Sequence, residues 1–281
     1  MVEPVQVHII GASGRSGAAL SRALQADGIA IVPIVRNAAK LPATRIADLT
    51  DPPALHAALG DATHIVSTAH ARFAAAVIAA APLDARLIFL GSTRKFTHWP
   101  DAHGAGVLEG EAAFLASAHH GVMLHPTMIY GAQGEDNVQR LANLLRRLPI
   151  VPLPGGGRAL VQPIHQDDVT RAIRAALAHP WHGPQSLVIA GPTALPYAGF
   201  VRAIAAAAGL RPPRIVSLPA SPLMALASIL RYIPLLPRIR PEEIRRLLED
   251  KAFDIRPMVD TLGFTPMPLT EGLARTFTPR S

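Results

Sequence analysis

An apolar run at residues 5–10, VQVHII, opens directly into GASGRSG, and an Ala- and Leu-rich helical pattern follows at once. Few arrangements accommodate three glycines at this spacing between a strand and a helix. Gly11 permits a tight strand-to-helix turn, Gly14 lets backbone come close to a ligand, and Gly17 lets the helix lie on the strand. The first turn of that helix then offers unsatisfied N–H groups to an anion. The unit therefore points to a dinucleotide, its diphosphate held by the loop Gly11, Ser13, Gly14, Arg15, Ser16 and Gly17.

The next 120 residues repeat the alternation. Short, almost continuously apolar runs stand at 30–35, 63–67, 86–90 and 122–125, with helical patterns at 16–26, 70–81 and 109–118 between them. Unbroken apolarity is the mark of strands buried on both faces, so the expected fold is α/β, a doubly wound parallel sheet of the Rossmann type. After Tyr130 the character changes. Helices are expected at 136–147 and 168–179, strands at 159–164, 186–190 and 214–217, and Pro and Gly become frequent, as in PLPGGG at 152–157. The division read from this is a dinucleotide-binding core over 1–130 and a smaller substrate lobe over 131–281, of which about 159–190 returns to the core. A chain of 281 residues suits that arrangement.

Composition narrows the chemistry. There is no cysteine, which removes disulfides, thiolate metal sites and thiol nucleophiles together. Of 27 basic residues only three are lysine, and the arginines are scattered. The densest run, Arg238, Arg240, Arg245 and Arg246, is interleaved with Glu242, Glu243, Glu249 and Asp250, the pattern of a solvated helix face rather than a nucleic-acid surface. No apolar stretch is long enough for a membrane span. The expectation is a cytoplasmic monomer or homodimer acting on a small molecule, with no metal site.

An NAD-preferring site places Asp or Glu at the end of the second strand, where it meets the ribose 2′-hydroxyl. Here Arg36 and Asn37 stand instead. Guanidinium groups at Arg36 and Arg15 suit a 2′-phosphate through paired donors, which favours NADP(H) over NAD(H). Asp48 and Leu49, in IADLTD, are placed to meet the adenine; Asp48 reads equally well as a helix cap.

Taken together, these features resemble the short-chain dehydrogenase/reductase superfamily, in its extended and atypical branch of NAD-dependent epimerase/dehydratase-like and NmrA-like proteins. IVRNAAKL at 34–41, STAHA at 67–71, HPTMIYG at 125–131, PIHQDDVTRAI at 163–173 and DKAFDIRPMVDTLGFTP at 250–266 carry the resemblance over most of the chain. It implies that Thr68, Ala69 and His70 pass the cofactor. It also implies a catalytic Tyr and Lys four residues apart beside a Ser or Thr. No such pair exists: four residues after Tyr130, Tyr197 and Tyr232 stand Gly134, Val201 and Leu236, and the expected positions hold His103 and Val107. The catalytic candidates left are Ser92, Thr93 and Lys95 just past the fifth strand, with His103 and Tyr130 as proton donors. Two readings stay open: an NADP(H)-dependent oxidoreductase or epimerase on a small carbonyl or sugar-like substrate, and a non-catalytic NADP(H)-binding sensor or accessory subunit. Arg158, after the triple glycine, leans toward an anionic or sugar-phosphate substrate, and the apolar stretch 218–237 is expected to roof its pocket.

Overall fold

The computed structural model describes residues 6–37, 44–132, 136–148, 150–224 and 241–278. Residues 38–41 of the IVRNAAKL stretch, 225–237 of the expected roof and the start of the charged run at 238–240 lie outside the described residues.

Seven parallel strands form the central sheet, in the order β11-β6-β5-β4-β1-β2-β3. They are β1 (Gln6–Ile10), β2 (Ala30–Val35), β3 (Arg45–Ile46), β4 (His64–Ser67), β5 (Arg86–Leu90), β6 (Gly121–Pro126) and, much later in the chain, β11 (Pro184–Ile189). Alternate residues of each strand feed two cores. Val7, Ile9, Ile88, Val122 and Leu124 meet α1 (Arg15–Ala26) and α6 (Gln166–Ala178), through Leu20, Leu24, Val169 and Ile173. Ile10, Ile65, Leu87, Phe89 and Met123 meet the other layer, α2 (Pro52–Leu59), α3 (Ala74–Ala80) and α4 (Ala102–Leu115). Each large apolar side chain buried there contributes about 1.5–3 kcal/mol, so the two cores hold the sheet from both sides. The strand order reverses between β1 and β4, and there the carboxyl ends of neighbouring strands part to leave a crevice.

A third core collects Tyr130, Val138, Leu145, Val151, Leu153, Phe200, Val201, Ile204 and Leu273. It is built from β7 (Ile129–Tyr130), α5 (Asn137–Arg147), β8 (Ile150–Pro154), α7 (Tyr197–Ala207), β13 (Arg214–Leu218) and a last helix, α10 (Leu269–Phe277). Short ladders stitch it together: β7 with β10 (Ile164–His165), β9 (Leu160–Val161) with β12 (Leu195–Pro196), and β8 with β13. Two further helices follow, α8 (Pro241–Arg246) and α9 (Arg256–Leu262), and α9 turns back to the main sheet, where Met258 and Leu262 join the first core.

Some elements differ from their sequence pattern for local reasons. The expected helix 70–81 begins as a tight 3₁₀ turn, Ala71–Phe73, because the His70 imidazole takes the Arg72 N–H as a cap (3.1 Å). The helix expected at 109–118 starts seven residues earlier. Asp101 caps it through Gly104 N–H (2.8 Å), and Gly104, Gly106 and Gly110 lie on its contact face. The strand expected at 159–164 is split at Pro163, which has no N–H for a ladder. Helix α7 and strand β8 were not anticipated, since Pro and Gly on either side mask their short apolar patterns.

The glycine face of α4 sets how close the segment after β4 can come. A Cβ on Gly110 would lie 2.0 Å from the Ala71 carbonyl oxygen, and one on Gly106 would lie 3.0 Å from the His70 ring. Gly110→Ala should therefore destabilise the protein by about 1–3 kcal/mol in urea melts. Gly199→Ala, on α7 with only ordinary contacts around it, should be neutral or stabilising by up to about 1 kcal/mol.

Candidate functional site

At the crevice between β1 and β4 lies a cavity of about 320 Å³, walled by Ile10, Gly11, Ser13, Gly14, Ile34, Val35, Arg36, Ala47, Asp48, Leu49, Thr68, Ala69 and Phe73. The glycine loop forms its floor. Gly11 takes a positive φ of 77°, and its carbonyl receives the Gly14 N–H at 2.8 Å. The Thr68 hydroxyl donates to the carbonyls of Ile10 and Gly11 (3.0 and 3.2 Å), tying β4 to the loop. Gly17 has no room for a side chain: a Cβ would come 2.2 Å from the Gly11 oxygen and 2.8 Å from Thr68 Oγ1. Gly14 is the N-cap of α1 and no side chain caps that helix, so its first-turn N–H groups remain available to an anion. This cradle fits a diphosphate.

The expected cofactor residues divide. Arg36 stands in the wall at the end of β2, with Asn37 exposed beside it. Asp48 accepts the Thr50 N–H and hydroxyl (2.9 and 2.7 Å); those bonds, with the nearby Arg36 charge, hold its carboxyl below the usual range. Arg15 points instead toward Asp136 at 3.8 Å, both exposed, and is not in the wall. The Ser16 hydroxyl donates to Gln166 Oε1 (3.1 Å) in a buried contact, and Ser16 is not in the wall. His70 lies one residue past the wall and contacts His103, Nε2 to Nδ1, at 3.1 Å.

Ser92 caps the turn after β5, its Oγ accepting the Arg94 N–H at 3.1 Å, which leaves the hydroxyl hydrogen for an outside acceptor. Thr93 spends its hydroxyl on the Pro126 carbonyl (3.2 Å). Arg94 forms an ion pair with Asp101, the cap of α4, so the Ser92 turn and the start of α4 move as one piece.

Lys95 is neither a free catalytic cation nor a solvated loop residue. Its side chain is 9 % exposed, and its ammonium lies 2.5 Å from Glu111 Oε1. The same oxygen accepts from the Ser186 hydroxyl and from His125 Nε2 (3.1 Å). His125 Nδ1 in turn accepts the Ser92 backbone N–H at 3.2 Å, an acceptor role that puts the imidazole hydrogen on Nε2. Burial alone would raise the Glu111 carboxyl; the hydrogen bonds from Lys95 and Ser186 outweigh it and hold Glu111 low. Burial, and then the Lys95 ammonium, push His125 down to about 4. Tyr130 is also misplaced as a proton donor. It is 1 % exposed inside the lobe core, its hydroxyl packed over Gly272, and burial raises its pKa well above that of an ordinary phenol. Val107, where the resemblance calls for lysine, is buried in the second core.

Glu111 and Ser186 escaped the sequence reading. One signal existed: Glu111 sits four residues after Val107 and three before Phe114, on the apolar stripe of its helix, where a carboxylate needs a partner. Nothing in sequence pointed to Ser186.

A larger groove of about 750 Å³ opens at the opposite edge of the sheet, lined by Val7, Leu24, Ile29, His64, Arg86, Arg171, Arg174, Leu177 and Phe264, among others. Its guanidinium groups are engaged: Arg174 with Asp27 (2.5 Å), Arg171 with Asp168 (2.9 Å) and Arg86 with the Leu177 carbonyl (2.9 Å). With neither a glycine turn nor the carboxyl ends of strands, it lacks what the smaller cavity offers an anion.

The low pKa of His125 has a sign. In the unfolded chain this residue binds a proton below about 6.5, in the folded chain only below about 4. Its contribution to stability is complete above pH 6.5 and is lost as pH falls toward 4, by up to about 1.4 kcal/mol per pH unit. His125→Gln should flatten the stability–pH curve in that window by about one proton, measured as urea midpoints at constant ionic strength. An unchanged slope would show that the imidazole is already charged.

No protein-family model and no curated protein matches the chain. Solved structures do. MoeE5 in complex with UDP-glucose and NAD aligns over 97 % of this chain and 97 % of its own, at 20 % identity and a TM-score of 0.72. The UDP-N-acetylglucosamine 4-epimerase from Bacillus cereus covers 97 % and 95 %, at 12 % identity and 0.74. A short-chain dehydrogenase/reductase superfamily protein from Agrobacterium tumefaciens with bound NAD covers 97 % and 95 %, at 15 % identity and 0.69. From end to end, then, the chain has the fold of these NAD-binding and sugar-nucleotide proteins.

Proposed function

We propose that the protein is an NADP(H)-dependent oxidoreductase or epimerase acting on a sugar-like carbonyl substrate, and that it works without a Tyr–Lys pair. The observation that carries this reading is the uncapped glycine turn at the strand-order switch, with Ser92 just past the end of β5, the strand that neighbours β4. Residues 1–130 bind the dinucleotide, and the lobe over 131–281 meets the substrate. When bound, the nicotinamide supplies or takes up a hydride at the substrate's carbonyl carbon. The Gly11–Gly17 loop orients the diphosphate, Arg36 takes the 2′-phosphate, and Asp48, Leu49, Thr68 and Ala69 form the walls. The Ser92 hydroxyl donates to the substrate oxygen, on which negative charge grows as hydride arrives. The fold's likeness to proteins solved with UDP-glucose, and the three successive positive-φ glycines Gly155, Gly156 and Gly157 before exposed Arg158, support a sugar carried on phosphate.

A second reading, a nucleotide-binding sensor or accessory subunit without turnover, is favoured by Val107 and by the engagement of Lys95 with Glu111. The two readings part on one observation: whether bound NADPH is oxidised by any member of a panel of aldehydes, quinones and UDP-keto-sugars. Turnover by none of them, with no epimerisation of UDP-sugars by the protein supplied with NADP⁺, selects the sensor.

Two variants test the roles. Calorimetry should find NADP(H) bound more tightly than NAD(H) by roughly ten- to a hundredfold, the worth of one charge-assisted contact of about 1.5–3 kcal/mol. Arg36→Ala should abolish that preference, and equal affinities in the native chain would reverse the cofactor assignment. Ser92→Ala should lower turnover by roughly ten- to a thousandfold with nucleotide affinity unchanged. Full activity in that variant would move the chemistry elsewhere.

A further inference from the structure

His70 and His103 come from different elements, and small residues force them together. Gly110 of α4 admits the Ala71 backbone and Gly106 leaves room for the His70 ring, while Asp101, held by Arg94, fixes the first turn of α4 that carries His103. The rings meet edge to face, centroids 4.4 Å apart, with His70 Nε2 at 3.1 Å from His103 Nδ1. His70 stands next to Ala69 in the cavity wall.

The hydrogen positions follow from the donors around the pair. The Arg72 backbone N–H points at His70 Nδ1 (3.1 Å), so that nitrogen must accept. A neutral His70 then carries its hydrogen on Nε2 and donates it to His103 Nδ1. A neutral His103, an exposed residue, is left with its hydrogen on Nε2. From this chain of donors we infer that His70 locks His103 into the Nε2–H tautomer, and that His103 Nε2–H is, with Ser92, the second donor to the substrate oxygen. The role rests on the function proposed above.

The surroundings keep the pair neutral. Burial lowers both imidazoles; Arg72 and Arg94 disfavour charge on His70, and His70, Arg94 and Arg246 disfavour it on His103. Only Asp101 acts in the other direction on His103, and it is itself paired with Arg94. A second proton would also set two N–H groups against each other, at Arg72 or between the rings. His103 is therefore a hydrogen-bond donor and not a proton shuttle. In reduction the carbonyl carbon accepts the hydride, and the electron pair of the C=O π bond moves onto oxygen. His103 Nε2–H and the Ser92 hydroxyl hold that oxyanion, which takes its proton from solvent water and releases hydroxide; oxidation is the reverse.

The test reads hydrogens first. Long-range ¹H–¹⁵N spectra of histidine-labelled full-length protein at pH 7.5, without nucleotide, should show both residues with bare Nδ1 and protonated Nε2; His70→Leu and His103→Leu make the assignment. His70→Leu should let the His103 signals average between tautomers, and His70→Gln, whose amide N–H can donate to His103 Nδ1, should restore the lock. A His103 that is Nδ1-protonated, or already averaging in the native chain, overturns the inference whatever the enzyme does. In turnover, His103→Leu should lose roughly a hundred- to a thousandfold in kcat at little change in KM. His70→Leu should lose less, and His70→Gln should regain it. A locked tautomer with full kcat in His103→Leu refutes the donor role while leaving the proposed function standing. No turnover by the native chain on any carbonyl refutes the proposed function and the donor role together, and the spectra then decide the tautomer lock alone.

Discussion

Backbone meeting backbone where no Cβ fits is the constraint on which the carboxyl edge of this sheet depends. It acts twice. At the start of α1, Gly17 lets the helix descend onto the Gly11 carbonyl, and this turns the helix's free N–H groups toward the cavity. Along α4, Gly106 and Gly110 let the segment after β4 press against the helix. The first contact makes an anion cradle and the second brings two histidines together. Glycine in a helix interior costs about 0.5–1 kcal/mol relative to alanine, so α4, with Gly104, Gly106 and Gly110, gives up intrinsic helix stability for that proximity. Its Asp101 cap, typically worth about 1 kcal/mol, offsets part of the loss.

Behind the site, one carboxylate oxygen of Glu111 gathers Lys95, His125 and Ser186, from the turn after β5, from β6 and from β11. Desolvating two opposite charges costs several kcal/mol per ion, so such a pair adds little net stability against an apolar replacement. What it adds is position. Removing either partner would strand a buried charge, at a cost of about 3–5 kcal/mol, which penalises any displacement of the turn that bears Lys95. Through His125 the network also holds the Ser92 N–H, and Gly91 leaves the space, since a Cβ there would lie 2.4 Å from His125 Nδ1. Ser92 is thereby fixed from two sides, by Arg94 N–H at its oxygen and by His125 at its backbone.

The legible parts of this molecule are those set by short-range pattern. Glycine spacing, apolar runs and the end of β2 were readable because each depends on neighbours within about twenty residues. The strands at 30–35 and 86–90 coincide with β2 and β5. What could not be read is side-chain pairing between separate elements. Lys95 and Glu111 lie sixteen residues apart, Ser186 seventy-five from Glu111, and His103 thirty-three from His70. Nothing local distinguishes a lysine that meets a buried carboxylate from one that meets water. Tyr130 shows the converse: it ends a strand beside a recognisable motif, yet α10, nearly 140 residues later, closes over its hydroxyl through Gly272.

The absence of a Tyr-x-x-x-Lys pair from the sequence has an electrostatic side, seen at His103 and Val107. A Tyr hydroxyl transfers protons near neutral pH only if a cation lowers its pKa, and here no lysine stands at 107 to do it. Histidine removes that need, because a neutral imidazole already carries a donor hydrogen at neutral pH. The arginines around it, Arg72, Arg94 and Arg246, would stabilise a phenolate but destabilise an imidazolium. The same positive field suits an oxyanion on substrate, which draws negative charge toward donors already in place and needs no new proton within the protein. Under the proposed function, a site of this composition would give up a proton reservoir and keep oxyanion stabilisation, which would confine its chemistry to substrates whose alkoxide can be protonated from water once hydride has moved.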